Sequence, residues 1–159
     1  MPGWRVGFMA GPEAVARAVT VMNSNHITNI PEIVCAAAIA ALNGPQDVPT
    51  RKCAEFQAKR DQVMAVLAQI PGVVCPKPQG AFYVFPDISV AFGKTHVPTG
   101  LKIANDVDLC NALLDAKGVA CVPGSAFGEP RALRISYTCQ TPQLAPGLAR
   151  LQEFFAELV

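Results

Sequence analysis

Charge is scarce in this chain. Charged side chains make up 16% of its 159 residues, against about a quarter in an average soluble domain. The 13 basic and 12 acidic groups nearly cancel, and no basic block exists: the densest cluster is Arg51-Lys52 with Lys59-Arg60. Phosphate-driven binding of nucleic acid needs clustered Lys and Arg, so the composition argues against that class. No long apolar run is present either. The longest, Ile33 to Leu42, has ten residues, many of them alanine, where a membrane helix needs about twenty. The opening residues Met1-Pro2-Gly3-Trp4-Arg5 hold no apolar leader core. There is no Cys-x-x-Cys pair, zinc signature, Ser-His-Asp pattern, Walker loop or set of paired carboxylates. No internal repeat or low-complexity segment is visible.

A mean hydropathy of +0.29 excludes general disorder, because disordered chains are polar and charge-rich. A surface this poor in charge also predicts that part of it is covered by a partner or by further chain. The six cysteines, at 35, 53, 75, 110, 121 and 139, mostly sit in apolar runs. They read as buried small hydrophobes in a reducing, cytoplasmic setting.

The pattern predicts mixed α and β structure. Residues 4–10 suit a strand that Gly11-Pro12 breaks, and Pro12 opens an amphipathic helix to about Met22. Asn23 to Asn29 reads as loop. Pro31 starts an apolar helix to Leu42, stopped by Asn43-Gly44-Pro45. A long helix is expected from about Thr50 to Ile70, with Phe56, Val63, Val66, Leu67 and Ile70 on one side and Lys52, Glu55, Lys59, Arg60 and Asp61 in water. Strands follow at 73–75 and 81–85, then a mixed loop over 88–105. A helix over 106–117 is capped by Gly118. Short strands at 119–122 and 133–137 flank the turn Pro123-Gly124-Ser125. Thr141-Pro142 opens a last helix with Leu144, Leu148, Leu151 and Phe155 on one face. Residues 1–49 are too few to bury their own apolar faces and read as the tail of a larger layer. Residues 50–159 suffice for a small α+β domain.

Few residues stand out as carriers of chemistry. His26 and His96 lie among loop residues and read as surface histidines. Arg5 and Arg134 each sit inside a strand-like apolar run. A guanidinium there must find an anion or face water, and its planar fork suits a carboxylate or phosphate. Spacing alone leaves both outcomes open, and an outward-facing strand arginine is the simpler one.

Several motifs are familiar. Gly3-Trp4-Arg5-Val6-Gly7-Phe8 with Ala10-Gly11-Pro12 resembles the stretch that follows the Schiff-base lysine in class I pyridoxal-phosphate-dependent aminotransferases of fold type I. Gly80-Ala81-Phe82-Tyr83-Val84-Phe85-Pro86 is similar to a strand of that family's small domain. The run from Gly118 to Gly128, followed by Leu133-Arg134-Ile135-Ser136-Tyr137, resembles its C-terminal signature. Asn23 to Pro31 is loosely similar to its Ser-Asn-Pro loop. The resemblance is collinear over essentially the whole chain, and the aspartate aminotransferase-like branch is the most similar.

The resemblance implies an α/β fold. Residues 1–49 would be the end of the large cofactor-binding domain, and residues 50–159 the connecting helix and small α+β C-terminal domain. The cofactor it implies is pyridoxal phosphate, and the reaction moves an amino group between an amino acid and a 2-oxo acid. Arg5 would bind the cofactor phosphate. Arg134 would grip the substrate carboxylate, with Phe82 beside the pocket. Thr28 and Asn29 would approach the neighbouring subunit's site in a homodimer, although Ile30 stands where the family usually has proline.

Only the C-terminal part of the family's length is covered. The Schiff-base lysine would stand just before Met1, and Met1 itself matches a methionine internal to the family motif. The aspartate on the pyridine nitrogen, the tyrosine on O3′ and the ring-stacking aromatic find no counterpart. The expectation is therefore a piece of a transaminase that is inactive alone. A non-catalytic interaction fragment, complementing an N-terminal piece or a full-length relative, is the alternative.

Overall fold

The computed structural model describes residues 2–159; Met1, to which the resemblance assigns an internal place, lies outside them. The chain divides into two compact units, Met1–Pro49 and Thr50–Val159.

The first unit is helical. A 3-10 turn at Pro2–Trp4 is followed by irregular backbone, then α1 (Glu13–His26) and α2 (Glu32–Asn43). The strand expected over 4–10 does not form. A strand needs a partner for its N–H and C=O groups, and the described residues of this unit include no strand. Pro12 and Pro31 stand as the N-caps of the two helices. Helix α1 runs on through residues expected to be loop, to His26. The polar side chains there bond back onto the helix instead of breaking it: Ser24 Oγ donates to the Thr20 carbonyl and Asn25 Nδ2 to the Val21 carbonyl, each at 2.8 Å. Neither helix buries a residue.

In the second unit a three-stranded antiparallel sheet is packed against helices. Helix α3 (Asp47–Leu67) enters it, starting one turn earlier than its apolar pattern indicates. Val63 and Leu67, with Ile70 beyond the helix end, are buried. The strands are short: β1 (Tyr83–Val84), β4 (Val122–Pro123) and β5 (Leu133–Ser136). The expected strand at 73–75 is reduced to one bridge, Val74 with Asp87. The mixed loop contains a small hairpin, β2 (Thr95–His96) with β3 (Leu101–Lys102), and Thr95 exchanges two backbone hydrogen bonds with Val159.

Helix α4 (Asp106–Lys117) has the bounds its end signals dictate. Asn105 caps it by accepting from the Asp108 N–H at 2.9 Å, and Gly118 ends it at φ 64°. Helix α5 (Thr141–Ala156) buries Leu144, Leu148, Leu151 and Phe154. The fourth core residue is thus Phe154, not the expected Phe155, which is half-buried.

Three polar expectations need correcting. Lys59 is buried, not in water. Its ammonium donates to the Cys139 carbonyl at 2.8 Å and pairs with Glu55 at 3.3 Å, because the chain after β5 returns across α3. His96 is fully buried. Its ring stacks on Phe154 at 4.3 Å, and its nitrogens meet the Thr99 hydroxyl and the Glu157 carboxylate, each at 2.8 Å. Pairing within the hairpin, not loop character, decides its place. The cysteines are also more varied than expected. All are free thiols, but Cys35 and Cys53 are exposed and only Cys110 is buried. Burial, with the Asp106 charge, pushes the Cys110 thiol up to about 11; burial, with Cys110 nearby, pushes Cys121 to about 12.

No helix among the described residues is long and apolar enough to cross a membrane. No group of three or more His, Cys, Asp or Glu side chains among them could hold a metal ion.

Candidate functional site

Arg134 lies on β5, the central strand of the three-stranded sheet. It is half-buried. Tyr83 pairs with Ser136 across β1 and β5, so Tyr83 and Arg134 are diagonal neighbours on one face. On the other flank Val122 of β4 pairs with Arg134, and a 3-10 turn, Gly124–Phe127, follows β4 at once. The result is a guanidinium between two rings. Its central carbon is 4.6 Å from the centroid of Tyr83 and 4.5 Å from that of Phe127.

The turn that carries Phe127 is fixed by its backbone. A Cβ on Gly124 would run into the carbonyls of Glu129 and Ala132, so no larger residue fits there. The Ser125 N–H donates to the buried Asp106 carboxylate at 2.7 Å. Burial alone would raise the Asp106 carboxyl, but the hydrogen bonds from Ser125 and from the helix backbone outweigh it, and the net shift is downward. Phe85 meets Phe127 edge to face at 6.1 Å. Phe82 lies against Tyr83 at 4.6 Å and against Phe56 at 6.1 Å. The Tyr137 hydroxyl donates to the Ala81 carbonyl at 3.3 Å, where Ala81 holds φ 60° and turns the chain into β1.

Electrostatically, Arg134 differs from its neighbour. Arg131 pairs with Glu129 at 3.2 Å and lies 3.9 Å from Asp87. No ion pair or hydrogen bond joins the Arg134 side chain to any described residue. No described side-chain nitrogen or oxygen is both buried and unsatisfied, so the N–H edge of Arg134 reaches solvent. A guanidinium set over two rings, with an open edge and no acidic partner among the described residues, can receive a carboxylate through two parallel hydrogen bonds.

The other expected site residues lie in the first unit. Arg5 follows the 3-10 turn, exposed and at φ 52°, so it is not in a strand interior and not buried. Thr28, at φ 64°, and Asn29 lie together on the exposed loop after α1; their N–H groups donate to the carbonyls of Asn23 and Ile27. The structure therefore brings Phe82 and Arg134 into one unit, through Tyr83, and leaves Arg5, Thr28 and Asn29 in the other. Sequence reasoning passed over Tyr83 and Phe127. The strand-like run at 81–85 supplies a signal for Tyr83, once its register against β5 is known, but the turn that aims Phe127 has none at the level of periodicity.

Comparison with known proteins gives a consistent result. The sequence model of the family Aminotransferase class I and II matches residues 1–151. The aspartate/prephenate aminotransferase of Cereibacter sphaeroides is 44% identical over 158 residues, 99% of this chain and 39% of that protein. The aspartate aminotransferase of Rhizobium meliloti strain 1021 is 41% identical over 151 residues, 95% of this chain and 37% of that protein. The crystal structure of an aspartate aminotransferase from Rhizobium meliloti superposes with a TM-score of 0.88 at 39% identity, covering 100% of this chain and 40% of that one. The aspartate aminotransferase from Thermotoga maritima gives 0.80 at 31% identity, covering 98% and 37%. The chain thus spans about two fifths of the length of the relatives it matches.

Proposed function

This chain belongs to the aminotransferase class I and II family, with the α/β architecture of fold type I, and from that premise we propose that it carries the carboxylate-gripping part of an aspartate-type transaminase. In the complete protein, an amino group passes between an amino acid and a 2-oxo acid. Residues 1–49 are the end of the large cofactor-binding domain, and residues 50–159 the connecting helix and small C-terminal domain. The observation that carries this reading is Arg134, with its open edge and no acidic partner among the described residues. It binds the α-carboxylate, and Phe82 lines the approach through its contact with Tyr83.

The cofactor of this family is pyridoxal phosphate, which when bound supplies the electron sink for amino transfer. The residues present fit only part of that group. Arg5 is assigned one charge-assisted contact to its phosphate, and a single such contact in water contributes little. Residues 1–49 contain no lysine. Of the lysines in the second unit, Lys52, Lys59, Lys77 and Lys117 are held in ion pairs with Glu55, Asp61, Glu153 or Glu157. None of the six lysines, Lys94 and Lys102 included, stands in the sequence context of the family's Schiff-base lysine, so no residue here is assigned the covalent attachment or the proton transfer, and these 159 residues alone are not expected to transaminate. Thr28 and Asn29 are assigned to the edge of a neighbouring subunit's site, which makes the active assembly a homodimer.

Two measurements test the reading. The purified chain is mixed with pyridoxal phosphate, reduced with borohydride and mapped by mass; scattered or absent labelling is expected. One saturable adduct on a single lysine would show that the chain holds the cofactor by itself. The chain is also co-expressed with the preceding part of the Rhizobium meliloti enzyme. Transamination of aspartate with 2-oxoglutarate is expected, and it should be lost in Arg134→Ala. Activity that survives Arg134→Ala would remove Arg134 from the carboxylate role.

A further inference from the structure

We propose that Tyr83 and Phe127 are positioning residues that clamp the Arg134 guanidinium by its two faces, so that its edge is pre-oriented for a carboxylate while its charge stays uncompensated. The inference rests on the assignment of Arg134 to carboxylate binding.

An arginine side chain can be ordered in two ways. An acidic partner orders it, but that partner occupies the N–H fork and competes with any incoming carboxylate. Arg131, engaged by Glu129 at 3.2 Å, is ordered in this way. Aromatic rings order it through its π faces and leave all the N–H donors, which lie in the guanidinium plane, available. Arg134 has the second arrangement, with ring centroids at 4.6 and 4.5 Å, inside the range of about 6 Å over which a cation is attracted to a ring face. Rings stacked on the two faces in this way would also take water off them. That strengthens hydrogen bonds at the edge and reduces the side-chain freedom lost when a ligand binds.

The clamp is itself supported on both flanks. Tyr83 is fixed by its strand register against Ser136 and by Phe82 at 4.6 Å. Phe127 is fixed by the Gly124 turn, by the Ser125 to Asp106 bond at 2.7 Å and by Phe85 at 6.1 Å. Phe82, placed beside the pocket by family resemblance, thus also acts as a buttress. Phe127 is half exposed, at 50%, so it can be replaced with little cost to the core.

The test is made on the full 159-residue chain, labelled with 15N, and reads the Arg134 Nε–Hε group by NMR. The first readout needs no ligand. In the parent chain the order parameter of this group should approach backbone values, about 0.8, and should fall below about 0.6 in Phe127→Leu and in Tyr83→Leu. Phe127→Tyr and Tyr83→Phe, which keep the rings, should retain the high value, and urea midpoints confirm folding of each variant. An Arg134 Nε–Hε as mobile in the parent as that of exposed Arg17, or unmoved by both leucine substitutions, overturns the clamp. The second readout is titration with 2-oxoglutarate. Each leucine variant should weaken binding about threefold, the double variant about tenfold, and Arg134→Lys should lose the response. Binding that depends on Arg134 but is equal in parent and leucine variants also overturns the clamp. An ordered Arg134 that ignores 2-oxoglutarate overturns instead the carboxylate assignment, and with it the clamp's purpose.

Discussion

Helices α2 and α5 are both rich in apolar residues and both are opened by a proline, yet α2 buries no residue and α5 buries four. The difference lies in how the apolar groups are distributed. In α5, Leu144, Leu148, Leu151 and Phe154 recur at three and four and form one stripe against α4 and the sheet. In α2 the apolar residues go all the way round, with Glu32 as its only charge. A helix of that kind belongs inside a larger layer. Ile33, Ile39 and Leu42 of α2 are all at least 60% exposed. Apolar composition therefore makes a helix in both units, but only the second unit also supplies a face to receive it.

Hydrogen exchange on the whole chain is the strongest way to break this comparison. Amides of α4 and α5 should be protected at least about a thousandfold more than those of α1 and α2, since protection follows buried packing. Equal protection in both sets would abolish the distinction. Next come paired substitutions. Phe154→Ala, at a fully buried ring, should cost about 3–5 kcal/mol in urea unfolding. Ile39→Ala, at 60% exposure, should change the same transition by under about 0.5 kcal/mol. A similar cost at both sites would show that α2 is packed after all.

A third test concerns polar burial. Lys59→Ala leaves the Cys139 carbonyl without its donor and should cost about 1–3 kcal/mol; a neutral result would mean that water replaces the ammonium. The smallest effect is expected with pH. The Glu157 carboxyl is held below the ordinary carboxylate value, first by its bond from Lys117 and then by that from His96. Its contribution is therefore present above the unfolded value, about 4.3, and is lost as pH falls through the folded one. The parent chain should lose more stability between pH 5 and pH 3 than Glu157→Gln does. An equal loss would assign acid sensitivity to other carboxylates, Asp106 first among them.

Elements whose ends are marked by specific side chains were legible in the sequence. Asn105 and Gly118 delimit α4, and Pro12 and Pro31 the starts of α1 and α2, because caps and prolines act locally. Elements that depend on a distant partner were not. The run at residues 4–10 has strand composition but, among the described residues of its unit, no strand beside it. His96 and Lys59 look like surface residues until the C-terminal segment pairs with the hairpin and the Cys139 carbonyl crosses α3. The site was partly legible. Arg134 stands out as a charge in an apolar strand, which must find an anion or face water. The structure adds a third, a pair of rings, and one of them comes from a turn whose aim depends on Gly124 and Asp106.

The uneven environments of the six thiols have a practical consequence. At neutral pH Cys110 and Cys121 stay protonated, and Cys75 is pushed up by burial in the same way. Alkylating reagents consume thiolates, so the exposed Cys35 and Cys53 should react first. One lies in each unit. A donor and an acceptor fluorophore can therefore be installed without engineering a new residue, and energy transfer between them would report whether the spacing of the two units in solution changes when the preceding part of a relative is added.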